Sequence, residues 1–242
     1  PGAERAAIEM AEEFWTQRGK MQAPLVNLPD AIDKAGGVGG TVIFADAADA
    51  TSSGASGDSN AVLRALVEKG YEGRVLAPLV DAPAVAQACA LGVGSRARFS
   101  LGGSVDRRYE PLELEASVKM LATGPYHFES WGSTEDGGNT AILQAGGMTI
   151  ITTTKPVNLF DRSLFLAHGC DPRNFDLVVV KSPHCQKHFF KAWAAAYFNV
   201  NAPGSTSADL KSLGHRICRR PMYPLDDEVE FEPSVQLFPK LG

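Results

Sequence analysis

Residues 45–66 (ADAADATSSGASGDSNAVLRAL) have the composition of a segment that could bind an anion through its backbone amides. An apolar run, TVIF, leads into small residues over 51–57, where the backbone can turn sharply and bring its amides close to a ligand. Asp58 or Ser59 can cap the helix that follows, and free amides at a helix N-terminus attract negative groups. The spacing matches neither G-x-x-x-x-G-K-S/T nor G-x-G-x-x-G. The segment predicts an anion-binding loop, and an ordinary solvent-exposed connection is the alternative.

A second polar segment, residues 181–188 (KSPHCQKH), follows the continuous apolar run LVVV. In open α/β sheets ligands bind outside the carboxyl ends of the strands, so this segment and residues 46–59 could line one crevice. Lys181, Ser182 and the amides at the start of the next helix could hold a carboxylate. His184 would then donate a hydrogen bond or carry a proton. An ordinary strand-to-helix turn with solvated charges is the alternative.

Two other kinds of chemistry are open to this second segment. His184 and His188 are four residues apart and could share a helical face as metal ligands, but no third ligand is close in the sequence. Cys185 beside His184 could act as a thiol nucleophile, although neighbouring residues of an extended segment point in opposite directions. Neither pattern is sufficient by itself, and we assign no metal ligand from these residues.

The elements that must position both segments alternate in the manner of βαβ units. The predicted strands cover residues 41–44, 74–80, 95–101 and 177–180, and the predicted helices include 84–91, 163–168 and 187–197. A possible edge strand ends at Val200. The fold class predicted is α/β, with a layered sheet built from βαβ units and an inserted antiparallel β subdomain.

The antiparallel subdomain is predicted at about 104–157, where the hydrophobic period changes. From Leu112 apolar and polar residues alternate, which indicates a half-exposed strand. Residues 141–144 and 148–154 flank the turn Ala-Gly-Gly and predict a hairpin. Residues 132–139 are expected to form a mobile loop, and Trp131 beside it could contact a ligand or be an ordinary exposed residue.

Residues 1–37 are interpreted as an amphipathic helix followed by a linker. This region could be the end of a preceding, missing N-terminal domain, or a normal first helix packed on its own domain. Residues 38–227 are predicted to form the main domain and 228–242 an irregular tail.

Composition excludes several function classes. The 242 residues carry a net charge of -5 with both signs interspersed, which does not favour nucleic acid or an anionic membrane as a partner. No apolar run approaches the roughly 20 residues that span a bilayer. The four cysteines are scattered without a C-x-x-C pair, so neither a zinc ribbon nor a disulfide framework is indicated. We expect a cytoplasmic protein with free thiols.

Three long segments of this sequence resemble the C-terminal half of the microcystinase C family of zinc metallopeptidases. They are ADAADATSSGASGDSNAVLRAL, TTKPVNLFDRSLFLAHGCDPRNFDLVVVKSPHCQKHF and NVNAPGSTSADLKSLGHRICRRPMYPLDD, in that order. The likeness covers residues 38–227. The family's loop usually reads DNPGGGAPGD, where this chain has DATSSGASGD over residues 49–58. The resemblance implies an enzyme of two halves, whose N-terminal α/β domain carries an aspartate and two histidines as zinc ligands and which hydrolyses linearised microcystin and small peptides.

The resemblance implies that this chain is the substrate-side domain of a zinc-dependent peptidase or amidohydrolase. Zinc is expected on the absent N-terminal half and not on this chain, which alone would be inactive. The expected partners are that metal-binding domain and a small peptide substrate, and a second copy of the chain is a further candidate. The catalytic candidate is His184, and the substrate-binding candidates are Asp46, Asp49, Ser53, Gly54, Gly57, Asp58, Ser59, Lys181 and Ser182. A non-catalytic module that binds small anions, and a structural domain for oligomerisation, are the alternatives.

Overall fold

The computed structural model describes residues 2–22, 24–183, 187–190 and 192–238. The chain divides into two compact units. One unit is Leu25–Ser207, and the other combines Pro1–Pro24 with Ala208–Gly242. The larger unit therefore begins within the region that the sequence suggested as an N-terminal linker. It contains all the strands of the described residues and all the predicted site residues that the structure describes.

A nine-stranded sheet forms the centre of the Leu25–Ser207 unit. The strands are β1 (Val26–Asn27), β2 (Val42–Ala45), β3 (Val75–Val80), β4 (Arg96–Leu101), β5 (Leu112–Phe128), β6 (Ser133–Ala145), β7 (Met148–Thr153), β8 (Leu177–Val180) and β9 (Ala196–Asn201). Their spatial order is β1-β9-β2-β8-β3-β7-β6-β5-β4. The six strands from β1 to β7 in that order are parallel, whereas β6, β5 and β4 are joined by antiparallel pairing.

Helices and connecting segments cover both faces of this sheet. The α-helices of the described residues are α1 (Gly2–Gln17), α2 (Leu28–Gly36), α3 (Ala61–Glu68), α4 (Ala82–Leu91), α5 (Ser163–Ala167) and α6 (Lys187–Phe190). One face packs against α2, α3 and α4 through side chains such as Ile32, Leu63 and Ala88. The opposite face packs against α5 and α6 through Phe165 and Phe190. The sheet is therefore the middle layer of three.

The sequences of the central strands explain why they occupy this position. Strands β2 (VIFA) and β8 (LVVV) contain no polar residue, and every residue in them is buried. A parallel strand covered on both faces needs apolar side chains on both sides, so it reads as a continuous apolar run. The predicted α/β class with a layered sheet is confirmed, and its antiparallel strands extend the same continuous sheet.

The prediction of a mobile loop at residues 132–139 is wrong. Residues 133–139 belong to β6, which pairs with the far end of β5. The amide of Thr154 also donates to the carbonyl oxygens of Gly137, at 3.1 Å, and Asn139, at 3.0 Å. A Cβ at Gly138 would lie 2.1 Å from Thr154 Oγ1, and a Cβ at Gly137 would lie 3.3 Å from Thr153 Cγ2, so both positions are tightly packed. The glycines thus mark a close approach of two segments of the chain rather than a flexible connection.

The prediction of a helix at 187–197 is also too long. Helix α6 ends at Phe190, and Tyr197 lies in β9 between β1 and β2. Val200 is almost fully buried and pairs with Val26, so it does not end an edge strand. The aromatic spacing is helical, but the run AYFNVN suits a strand, and pairing with β2 decides the outcome.

In the smaller unit, α1 packs against the C-terminal segment through aromatic rings. The Trp15 ring stacks on Phe231 with the centroids 4.7 Å apart and contacts the edge of Tyr223 at 5.9 Å. The guanidinium group of Arg18 lies 4.2 Å from the centre of the Trp15 ring. In the described part of the chain, no helix combines the length and the apolar character needed to cross a membrane.

Candidate functional site

The two polar segments meet at the edge of the sheet formed by the C-terminal ends of β2, β3, β8 and β9. Residues 46–59, here named the Ser/Gly loop, follow β2, and Lys181 follows β8. The amide of Asp46 donates to the carbonyl oxygen of Val180 at 2.9 Å, so the two connections start side by side. Thr206, after β9, donates through its hydroxyl to the Ala47 carbonyl at 2.8 Å. Parallel pairing of these strands is the reason that the loops come together.

A buried ion pair between Lys181 and Asp49 joins the two segments. The Lys181 Nζ lies 2.8 Å from Asp49 Oδ2, and the side chains are 4% and 0% exposed. The same ammonium donates to the carbonyl oxygens of Gly57 and Ser59, each at 2.8 Å. An ammonium has three donors, and all three are engaged by these acceptors.

The Asp49 carboxylate is held by two backbone amides of the Ser/Gly loop. The amide of Gly57 donates to Oδ1 at 2.9 Å and the amide of Ser59 to Oδ2 at 2.8 Å. Two amides of the loop that the sequence predicts to bind an anion are therefore already engaged by a carboxylate. In this structure the negative group is the protein's own Asp49.

Asp58 joins the Ser/Gly loop to the segment that follows β4. Its carboxylate accepts hydrogen bonds from the Ser56 hydroxyl and from the amides of Val105, at 2.6 Å, and Asp106, at 2.9 Å. Gly102, just before this segment, lies against the backbone of Asp58 at a positive φ of 74°, where a side chain would collide.

Two further buried polar residues belong to the same network, although the sequence reasoning did not include them. Asp81 accepts from the amides of Ala84 and Gly102, at 2.9 and 2.8 Å. The Asn60 amide group donates to the carbonyls of Leu101 and Glu110, at 2.7 and 2.8 Å. The sequence around Asp81 could have identified it as a buried capping residue, because an aspartate before Ala-Pro-Ala fits a helix N-cap. The hydrogen-bond partners of Asn60 are distant in the sequence, so no local pattern predicts them.

The predicted substrate-binding residues divide by exposure. Ser53 and Gly54 are exposed at the tip of the Ser/Gly loop, where the turn Thr51–Ser53 ends at Gly54 with a φ of 95°. The other seven, Asp46, Asp49, Gly57, Asp58, Ser59, Lys181 and Ser182, are buried. A cavity of about 10 Å³ lies among Thr51, Gly57 and Lys181, which is no more than the space of one water. A ligand arriving from solvent would meet the tip of the loop first.

Burial of several acids around one cation alters their protonation. Burial raises the pKa of Asp46 to about 6, with Lys181 opposing this rise and Asp49 adding to it. The Asp46 carboxylate accepts a hydrogen bond from the amide of Ala48 at 3.0 Å, whereas the Lys181 ammonium is paired with Asp49. Burial also raises the pKa of Asp81, and burial with the nearby Asp49 charge raises the pKa of Tyr109 to about 12.

His184, the catalytic candidate, lies outside the described residues, as does Cys185. Ser182, two residues earlier, is buried, and its amide donates to the Val180 carbonyl at 2.9 Å. The described residues contain no group of three or more His, Cys, Asp or Glu side chains that could hold a metal ion.

We expect Lys181→Met to lower the free energy of unfolding by about 3 to 5 kcal/mol. It would leave the buried Asp49 carboxylate without its cation and the Ser59 carbonyl oxygen without this donor, whereas the Gly57 carbonyl would keep the Val80 amide. Lys69→Met is the matched control, because its ion pair with Asp33 is partly exposed and should contribute no more than about 1 kcal/mol. Urea unfolding of the three proteins measures the difference. Equal losses in both variants would contradict a central role for the Asp49–Lys181 pair.

Gly57→Ala should be clearly more destabilising than Gly54→Ala. Both glycines have a positive φ, so each substitution carries a backbone penalty of about 1 to 2 kcal/mol. A Cβ at Gly57 would also lie 2.5 Å from Val80 Cγ2 and 2.7 Å from Thr51 Cγ2, whereas Gly54 faces open space. The additional steric cost is about 1 to 3 kcal/mol. Thermal and urea unfolding would check this order. Similar losses of stability in both variants would show that the side chains around Gly57 move to accommodate the methyl group.

The Asp46 carboxyl should make the protein less stable as the pH rises. Its pKa is raised in the folded state, so its favourable contribution is complete below pH 4 and is lost as the pH passes about 6. Asp46→Asn removes this titration. We expect the stability of the variant relative to the wild type to increase by about 1 to 2 kcal/mol between pH 5 and pH 7.5. Urea unfolding at both pH values tests this, and a constant difference would show that Asp46 does not titrate in this range.

Comparison with known proteins shows which family this chain resembles. A family model described as MlrC C-terminus matches residues 44–217. Microcystinase C of Sphingomonas sp. is 27% identical over 187 residues, which cover 76% of this chain and 36% of that protein. The crystal structure of a candidate metallopeptidase from Mesorhizobium sp. BNC1 superposes with a TM-score of 0.83 at 26% identity, covering 95% of this chain and 47% of the other.

The chain thus spans about a third of the curated relative and under half of the structural one. The resemblance drawn from the three sequence segments is confirmed. The residues that the family model matches include nearly all of the sheet and both partners of the Asp49–Lys181 pair. This chain belongs to the family of the MlrC C-terminus.

Proposed function

We propose that this chain is the substrate-side domain of a zinc-dependent peptidase or amidohydrolase that acts on small or linear peptides. Membership of the MlrC C-terminal family supports the proposal, as do the names of the relatives, a microcystinase and a candidate metallopeptidase. The zinc ligands are assigned to the preceding part of the whole protein. No zinc ligand is assigned to the described residues of this chain, which offer no suitable cluster.

The observation that carries the proposal is the Asp49–Lys181 pair at the C-terminal edge of the sheet. It ties the Ser/Gly loop to the end of β8, the connection that leads to His184. Ligands of open α/β sheets bind at this edge, where loops from separate strands converge. A rigid support of this kind is what a substrate-binding loop requires, since a loosely held loop would lose affinity through ordering.

Within this proposal the predicted site residues have two roles. The exposed Ser53 and Gly54 at the tip of the Ser/Gly loop face the substrate, and the Ser53 hydroxyl is suited to donate to a peptide carbonyl or carboxylate. The buried residues are positioning residues, because their polar groups bind one another. They are Asp46, Asp49, Gly57, Asp58, Ser59, Lys181 and Ser182.

His184 is proposed to move a proton during hydrolysis. Imidazole changes its charge near neutral pH, so it can accept a proton from an attacking water or deliver one to a leaving amine. In the sequence it stands two residues beyond the buried Ser182, which follows β8. This is the residue for which a functional test is most direct.

In the whole protein, His184→Ala should lower kcat/KM for a linear peptide by about 100-fold or more, mainly through kcat. The measurement is zinc-dependent hydrolysis followed by chromatography. His215→Ala is the control, because His215 is exposed and lies outside the Leu25–Ser207 unit. Its kcat/KM should match that of the wild type.

Two results would overturn the proposed function. Wild-type kcat/KM in His184→Ala would remove the proton-transfer role. Failure of the zinc-loaded whole protein to hydrolyse any linear peptide would remove the peptidase assignment. In that case thermal stabilisation by phosphate or carboxylates would indicate a small-anion-binding module instead.

A further inference from the structure

The hairpin of β5 and β6 extends well beyond the C-terminal edge of the sheet. Thr153, at the end of β7, pairs with Thr140 of β6, which pairs with Ala122 of β5. Because β5 runs in the same direction as β7, residues 123–128 continue past the edge. Six residues of extended chain span about 20 Å. The tip of the hairpin therefore projects on the side of the sheet where the Ser/Gly loop lies.

Hydrogen bonds to a buried carboxylate fix this tip in place. Asp161 is 1% exposed, and its carboxylate accepts from the Ser130 amide and hydroxyl, both at 2.7 Å, and from the Ser163 amide at 2.8 Å. The Glu129 amide donates to the Ser163 hydroxyl at 2.9 Å. The tip is thus attached to the start of α5, and Trp131 is presented from a fixed turn.

The segment beneath the tip also contacts the Ser/Gly loop. The carbonyl oxygen of Val157 accepts from the Thr51 hydroxyl. Val157 and Leu159 line the small cavity shared with Thr51 and Lys181. Phe160 is the next residue along, and its ring lies 4.9 Å from that of Trp131. Residues 157–160 therefore contact the Ser/Gly loop at one end, through the Val157 carbonyl, and Trp131 at the other, through the Phe160 ring.

The indole ring of Trp131 packs against two aromatic rings and is otherwise exposed. It packs against Phe160 and, at 5.5 Å, against the buried Phe128, yet it is 62% exposed. Among the described residues between Val105 and Leu166 it is the single large apolar side chain that is exposed. One aromatic side chain is too small for a stable protein interface, which needs roughly 800 Å² per partner. It is the right size to contact one side chain of a ligand.

We propose that Trp131 is a specificity-determining residue that binds an apolar, preferably aromatic, side chain of the peptide substrate. The proposal rests on the proposed function for the identity of the ligand as a peptide. A side chain packing on the exposed part of the indole would gain dispersion and hydrophobic contacts without distorting the protein, because Phe128, Phe160 and Asp161 already hold the ring and its turn.

The test compares two linear alanine hexapeptides, one of which carries a single central phenylalanine, on the whole protein. Trp131→Ala should raise KM for the phenylalanine peptide about 5- to 10-fold, leave kcat within twofold and leave the all-alanine peptide unaffected. Trp131→Phe should restore most of the affinity. Phe238→Ala, which removes an exposed aromatic side chain of the smaller unit, is the control and should change neither peptide.

Binding of the same peptides to the zinc-stripped whole protein, measured by calorimetry, provides a readout that does not need hydrolysis. The same selective loss in Trp131→Ala supports the proposal even if the peptidase assignment fails. No change for either peptide, or an equal loss for both, would overturn it. A fall in kcat for both peptides with a lowered melting temperature would also overturn it, and would place Trp131 in contact with the N-terminal part of the protein.

Discussion

The buried ion pair between Asp49 and Lys181 is the interaction on which the C-terminal edge of the sheet depends. Its two members are 132 residues apart, and together they bind both the amides and the carbonyls of Gly57 and Ser59. Two charges are costly to remove from water, and here that cost is offset by complete pairing and hydrogen bonding. The shape of the Ser/Gly loop therefore follows from a contact between distant parts of the chain.

This pairing also determines how the remaining acids are accommodated. Lys181 is paired with Asp49, and Asp58 is satisfied by the Ser56 hydroxyl and two amides after β4. Asp46 is fully buried and lies near the Asp49 charge, which explains why its pKa is raised to about 6. Each acid thus has its own means of support, and together they leave the exposed tip of the loop as the part that a ligand can reach.

Sequence patterns predicted the strands correctly where the hydrophobic pattern lies within one segment. The apolar runs TVIF and LVVV indicated buried strands, and the strands found there, β2 and β8, are central and parallel. The predictions failed where pairing between distant segments outweighs local pattern. Phe189, Trp193 and Tyr197 have helical spacing, yet Tyr197 pairs with Ile43 in the sheet. Residues 133–139 are rich in glycine and polar side chains, yet they form a strand because β5 and Thr154 supply hydrogen bonds on both sides.

The sequence by itself determined the family, the α/β class and the two polar segments that follow β2 and β8. These properties are local, since they depend on residue type and on spacing within one segment. Only the tertiary structure decided that the amides of the Ser/Gly loop bind Asp49, that Lys181 has no donor left over, and that the hairpin carries Trp131 past the edge of the sheet. The physical reason is that strand order and register bring these groups together, and no periodicity within a single segment records which distant strand will be its neighbour.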